Sequence, residues 1–133
     1  MEKIEHIGIA VKDLEASNKI FASLFGVTHY KEEEVASENV KTSFFKSGPN
    51  KIELLQATNP ESPIAKFIDK KGEGVHHIAF AVLDIKAEID RLKTAGFVVL
   101  NEAPKKGADN KLVAFLHPKT TNGVLIELCQ EIG

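Results

Sequence analysis

The chain contains a second copy of itself. His6-Ile7-Gly8-Ile9-Ala10-Val11-Lys12-Asp13-Leu14 aligns with His77-Ile78-Ala79-Phe80-Ala81-Val82-Leu83-Asp84-Ile85, sharing His, Ile, Ala, Val and Asp in register at an offset of 77 − 6 = 71. A second echo closes each half, where Ile52-Glu53-Leu54-Leu55-Gln56 matches Ile126-Glu127-Leu128-Cys129-Gln130 at an offset of 127 − 53 = 74. Two matches in the same order, each carrying a polar residue, define an internal repeat whose copies differ by about three residues of loop. A repeated chain of this size must place equivalent residues in equivalent positions, so every later motif is read in pairs.

Each half reads β-α-β-β-β. After each His strand comes a helix with an Asp N-cap and a Gly just past its end, over 13–26 and over 84–96. Strand-like segments follow at 40–46 and 51–56, separated by Ser47-Gly48-Pro49-Asn50, and at 98–101, 112–117 and 124–129, the last preceded by the turn Asn122-Gly123. Lys31-Glu32-Glu33-Glu34 is acidic and marks a solvated loop or an edge. Between the halves, 58–74 carries a short helix: Ser62 caps it, Pro63 suits its first position, Ile64, Phe67 and Ile68 supply an apolar stripe, and Gly72 ends it. The expected organisation is one α+β domain over 1–133, with a first module at about 1–57 and a second at about 75–133. Halves of about 55 to 60 residues bury too little to be comfortable alone and should share one core.

Strand parity assigns faces, because alternate side chains point to opposite sides of a strand. Ile7, Ile9 and Val11 share one face, and His6, Gly8 and Ala10 the other; Ile78, Phe80 and Val82 stand against His77, Ala79 and Ala81 in the second copy. The bulky set packs beneath the helices, and a histidine among small residues lines a cavity. The same parity turns His76 away from His77. Glu53 and Glu127 lie in otherwise apolar strands, where a buried carboxylate costs several kcal/mol unless paired or metal-bound. Two His and two Glu at repeat-related positions offer an N₂O₂ donor set for one divalent metal per chain: His6, Glu53, His77 and Glu127.

With 43% hydrophobic and 27% charged residues and a net charge of −2, the composition excludes a disordered chain and offers no basic surface for nucleic acid or anionic membrane. The expected partner is a small molecule. Cys129 stands alone and reads as a small apolar filler; with no secretory leader pattern at Met1, a reducing cytoplasm is expected. Lys105, Lys106 and Lys119 are candidates for phosphate contacts, while His29, His117 and the acidic run are assigned surface or structural roles.

The paired modules with His6, Glu53, His77 and Glu127 resemble the vicinal oxygen chelate superfamily, to which glyoxalases belong. Within it, Ser62-Pro63-Ile64-Ala65-Lys66-Phe67, Gly74-Val75-His76-His77-Ile78-Ala79 and Phe115-Leu116-His117-Pro118-Lys119, followed by Gly123-Val124-Leu125-Ile126-Glu127-Leu128, resemble the methylmalonyl-CoA epimerase family. That resemblance implies modules related by a pseudo-twofold, forming a curved mixed sheet around a metal cavity. It also implies a homodimer, a divalent ion such as Co²⁺, Mn²⁺, Ni²⁺ or Zn²⁺, and epimerisation of (R)- and (S)-methylmalonyl-CoA through a metal-stabilised enolate. Glu127 is then expected to act as ligand and base, and Glu53 as ligand and second proton carrier. The chain departs from the bacterial pattern at Thr42, where an additional carboxylate proposed as a base can stand; no Asp or Glu lies within 40–46. Other readings are a glyoxalase I, with the same order of His, Glu, His and Glu, and a metal-free binding protein of the same fold, which retention of all four donors argues against. An extradiol dioxygenase would use two His and one carboxylate, and the extra Glu disfavours it.

Overall fold

The computed structural model describes residues 1–101 and 103–133. These form two compact units, residues 6–76 and residues 1–5 with 77–133. The first holds β1 (Lys3–Ala10, from His6 onward), α1 (Leu14–Phe25), β2 (Lys31–Val35), β3 (Val40–Ser47), β4 (Asn50–Ala57) and α2 (Pro63–Lys71). The second holds β5 (Gly74–Ala81, from His77 onward), α3 (Ile85–Thr94), β6 (Lys105–Lys106), β7 (Lys111–Leu116) and β8 (Ile126–Glu131). Both are β-α-β-β-β modules, as the repeat requires.

In the first unit the strand order is β2-β3-β4-β1. β1 runs parallel to β4, with Gly8 opposite Glu53, and β3 and β4 form an antiparallel hairpin closed by Gly48 and Pro49. Asp13, in an extended conformation, accepts from the Ala16 amide to start α1, and Gly26 ends it at φ 72°, a left-handed geometry natural to glycine. One face of the sheet is sealed by α1: Ile9, Val11, Phe45 and Leu54 pack against Leu14, Phe21 and Phe25, with the rings of Phe25 and Phe45 5.7 Å apart. On the other face Ile64, Phe67 and Ile68 of α2 pack on Ala10, Val40 and Leu55. The capping expected at Ser62 and Pro63 is present, Ser62 Oγ accepting from the Ile64 amide. The acidic run forms an edge strand, β2, paired to β3 alone.

In the second unit the order is β5-β8-β7-β6, with β5 parallel to β8. Ile85, Ile89 and Leu92 of α3 pack on Val82, Ala114, Leu116 and Leu128. Asp84 caps α3 as Asp13 caps α1, accepting from the Ala87 amide at 3.1 Å. The repeated glutamines do matching work: Gln56 Oε1 accepts from the Leu14 amide, and Gln130 Oε1 from the Ile85 amide. Each thus ties a helix start to the strand bearing the module's Glu.

The strand expected at 98–101 is replaced by a single bridge, Val99 to Leu116. The reason lies at Asn101, whose side-chain carbonyl takes the Phe115 amide at 2.8 Å and so displaces the backbone partner that a continued ladder needs. The module's edge strand forms instead at Lys105–Lys106. β8 begins at Ile126, since the Val124 amide is still engaged in the preceding turn by Thr121 O at 3.1 Å. Among the described residues no helix is long and apolar enough to cross a membrane.

Candidate active site

Parity places the four expected donors as two pairs, one in each unit. In the first, His6 Nδ1 lies 3.1 Å from Glu53 Oε2, and both side chains are about 5% exposed. Glu53 sits in register between Gly8 on β1 and Phe44 on β3. In the second, His77 Nε2 lies 3.2 Å from Glu127 Oε1, and Glu127 sits between Ala79 on β5 and Phe115 on β7. Each carboxylate therefore has a small residue on one flank and an aromatic ring on the other. The ring of Phe115 meets that of His77 edge-on at 6.1 Å, which limits how the imidazole turns.

Phe44 and Phe115 were not singled out by sequence reasoning. They share the offset of the histidines, 115 − 44 = 71, so the repeat carried the signal. Cys129 is buried with Ala79, Val113 and Phe115, as a filler would be, but its thiol also donates to Glu127 Oε2 at 2.7 Å. Glu127 thus directs one oxygen at an imidazole and has the other held by a thiol. Only the three-dimensional strand geometry reveals this, because an i, i+2 pair in a strand shares a face without necessarily touching.

His76 faces the other way. Its ring stands edge-on to Phe67 of α2 at 4.9 Å, and burial pushes its pKa down to about 4. A histidine that resists protonation when folded but takes a proton at its ordinary pKa when unfolded stabilises the fold less as pH falls. Between about pH 6.5 and 4 the unfolded state binds more protons, so stability declines through that window and the contribution is complete above it. Urea melts in the presence of EDTA should show a decline of up to about 3 kcal/mol that His76→Phe lacks. Equal slopes in the two proteins would refute the assignment.

Thr42 is fully buried on the Glu53 face, opposite Leu55, so no carboxylate projects from β3 there. His29 pairs with Glu32 at 2.9 Å, and His117 Nδ1 accepts from the Lys119 amide, capping a short turn; both have the structural roles expected. Lys105 and Lys106 are exposed on the edge of the second unit.

Chemically, each unit presents one imidazole nitrogen and one carboxylate oxygen within hydrogen-bond distance in a dry environment. Such a pair fits a divalent cation, which prefers neutral imidazole and ionised carboxylate and offsets the cost of burying the charge.

Residues 5–115 match the Glyoxalase/Bleomycin resistance protein/Dioxygenase superfamily. The chain is 42% identical to the ethylmalonyl-CoA/methylmalonyl-CoA epimerase of Cereibacter sphaeroides, over 96% of this chain and 97% of that one. In three dimensions it is similar to a variant of the Streptomyces coelicolor methylmalonyl-CoA epimerase solved with 2-nitronate-propionyl-CoA. The TM-score is 0.94 and the identity 33%, over 100% of this chain and 99% of that one. A probable lactoylglutathione lyase of Vibrio cholerae is more distant, at 29% identity. The α+β fold of paired modules is therefore the one those epimerases have, and the chain belongs to the glyoxalase/bleomycin resistance protein/dioxygenase superfamily and, within it, to the methylmalonyl-CoA epimerase family.

Proposed function

We propose that this protein interconverts (R)- and (S)-methylmalonyl-CoA and takes a divalent metal, with His6 and Glu53 as donors in one unit and His77 and Glu127 as donors in the other. The observation that carries the reading is the repetition of one buried His–Glu pair in each unit, at 3.1 and 3.2 Å. A single acidic or basic group would suit many reactions. Two carboxylates from repeat-related strands suit one in which a proton leaves one face of a carbon and returns to the other.

The reacting carbon lies between a thioester and a carboxylate. Breaking its C–H bond sends the proton to a carboxylate oxygen and the electron pair into the thioester carbonyl, giving an enolate; a proton delivered to the opposite face then completes inversion. Glu127 is assigned the first transfer, its orientation held by the Cys129 thiol and the His77 ring. Glu53, flanked by Phe44 and by Gly8, is assigned the return. Thr42 bears no carboxylate, so the second carrier must come from elsewhere than that position. Bound divalent metal, whether Co²⁺, Mn²⁺, Ni²⁺ or Zn²⁺, supplies a Lewis acid for negative charge developing on the carbonyl oxygen. The buried ring of Phe44 and the partly buried ring of Phe115 flank the two carboxylates, which are themselves buried, and low exposure strengthens charge interactions there.

The test is conversion of each methylmalonyl-CoA epimer by protein purified without chelator, with elemental analysis, then EDTA stripping and metal titration. About one metal per chain and recovery of activity on reloading are expected. Full activity after rigorous stripping would overturn the metal assignment, and turnover of glutathione hemithioacetal without methylmalonyl-CoA would favour the lyase.

We further propose a homodimer in a reducing cytoplasm. Support comes from α1, whose outward face exposes Ile20 by 64% and Leu24 by 68%, apolar area that a partner copy would cover. Light scattering should give about twice the chain mass of 14.6 kDa at micromolar concentration. A mass equal to one chain throughout a dilution series would contradict it.

A further inference from the structure

In the second unit, Lys111, Val113 and Phe115 of β7 share one face and stand in register with Glu131, Cys129 and Glu127 of β8. Val113 therefore lies opposite Cys129, one step along the face from the pair of Phe115 and Glu127. It is 5% exposed and packs among Ala79, Cys129 and Phe115. It also meets the Gly107 backbone: a Cβ built on Gly107 would stand 3.1 Å from both γ-carbons of Val113. Gly107 has φ −110°, which any residue adopts, so what calls for glycine here is space and not backbone conformation.

The contact is held from both sides. The Gly107 amide donates to Lys111 O at 2.9 Å, and Lys106 pairs with Leu112, so the Gly107 backbone is fixed to the strand that carries Val113. The turn between them is tied to the end of β8, where Asn110 Nδ2 donates to Ile132 O at 3.1 Å and the Ile132 amide donates to Asn110 O at 3.2 Å. Val113 is β-branched and stiff about χ1. A push on its methyl groups must then be taken up by the side chains it packs on, Cys129 among them. Cys129 in turn donates its thiol hydrogen to Glu127 Oε2 at 2.7 Å. The repeat-equivalent of Cys129, at 129 − 74 = 55, is Leu55, a hydrocarbon side chain with no hydrogen to donate, packed with Ala10, Val40 and Ile64.

We propose that Gly107, Val113 and Cys129 form a positioning relay for Glu127: the Gly107 backbone seats Val113, Val113 seats Cys129, and the Cys129 thiol fixes which carboxylate oxygen turns toward His77. This rests on the assignment of Glu127 as a proton carrier and deepens it. Rotation of a carboxylate about its terminal bond exchanges the two oxygens, and a donor set behind one of them presents the other in a single direction. The relay acts on rate through the placement of that oxygen and adds no affinity for substrate.

The experiment measures kcat and KM for methylmalonyl-CoA, and deuterium exchange at C2 for each epimer, with the metal site saturated. The proteins are the unaltered chain, Cys129→Ala, Cys129→Ser, Gly107→Ala, Val113→Ala and Gly107→Ala/Val113→Ala. Cys129→Ala removes one heavy atom and should lower kcat roughly tenfold with KM within about twofold, because the misplaced group acts in the chemical step. Exchange should fall for the epimer from which Glu127 abstracts and hold for the other, whereas a general loosening of the fold would lower both alike. Cys129→Ser, whose hydroxyl donates from the same place, should recover most of the loss. Gly107→Ala should lower kcat to a similar extent. Gly107→Ala/Val113→Ala should exceed either single variant, because removing the γ-carbons clears the space that the new methyl needs. If Gly107→Ala does not fold, the two Cys129 variants decide the matter. Unaltered kcat in Cys129→Ala, a fall shared equally by both epimers, no recovery in Cys129→Ser, or a double variant no better than a folded Gly107→Ala would each overturn the relay and leave the reaction standing. An unaltered protein that epimerises neither form would overturn the reaction and the relay together.

Discussion

Glu127→Gln is expected to lower turnover of methylmalonyl-CoA by roughly 10²- to 10⁴-fold, the range a positioned general base contributes, while still loading metal at high concentration. The substitution keeps length and shape, and it keeps one oxygen. In the native arrangement Oε1 faces His77 Nε2 at 3.2 Å and Oε2 accepts from the Cys129 thiol at 2.7 Å. An amide oxygen in the first position retains a donor toward the metal, and the amide nitrogen takes the second. What is lost is basicity, so an effect on chemistry separates from an effect on binding. The informative measurement is deuterium exchange at the substrate's C2 in D₂O, followed by NMR for each epimer with the metal site saturated. In a two-base mechanism the variant should fail to abstract from one epimer and retain exchange without inversion from the other, provided the remaining carrier exchanges with solvent. Wild-type rates of exchange and inversion for both epimers would make Glu127 a ligand only and move the search for the base to Glu53.

The second large effect separates neighbours in sequence. His77→Ala should weaken metal binding by at least about 100-fold, more than loss of an outer-shell partner costs, whereas His76→Ala should retain metal. In the metal-free protein His77→Ala should also lose about 3 kcal/mol of stability, because Glu127 is 7% exposed and would be left without its imidazole partner. His76, packed against Phe67, contributes to the seat of α2 and not to the donor set. Isothermal titration with a divalent metal, alongside urea melts in EDTA, reads both quantities. Metal loss in His76→Ala with retention in His77→Ala would show that the face assignment of β5 is reversed.

Much of this site was legible before any coordinates because the relevant signals are local. A strand's two-residue period assigns His6 and His77 to one face and the bulky Ile9, Val11 and Val82 to the other, and packing under α1 and α3 follows that division. Asp13, Gly26, Ser62 and Asp84 mark helix ends through hydrogen bonds that span only two to four residues, and Pro63 marks one through its fixed φ, so their positions can be read from sequence. The repeat supplied the remaining constraint, since a polar residue present twice at equivalent strand positions is poorly explained by exposure on an edge.

What sequence left open depended on partners far along the chain. The acidic segment at 31–34 had the composition of a loop or an edge, and pairing of Glu33 with Thr42 and of Lys31 with Phe44 across β3 made it an edge strand. The segment at 98–101 had strand-like residues but lost its ladder to the Asn101 side chain, which competes successfully for the Phe115 amide. Gln56 and Gln130 were visible as repeated letters, yet their purpose appeared only where Leu14 and Ile85 amides came within reach. Cys129 had the size of a filler, and its thiol acquired a carboxylate partner through the pleat of β8. Lys46 and Lys51 are five residues apart and unremarkable in a list of lysines; the β3–β4 hairpin sets them directly opposite one another on the Glu53 face. Sequence by itself determined which residues each element presents and on which side, because periodicity and capping act over a few bonds. Tertiary structure alone decided which of those residues meet, because register and side-chain competition are set by packing between segments that the chain's local preferences do not bring together.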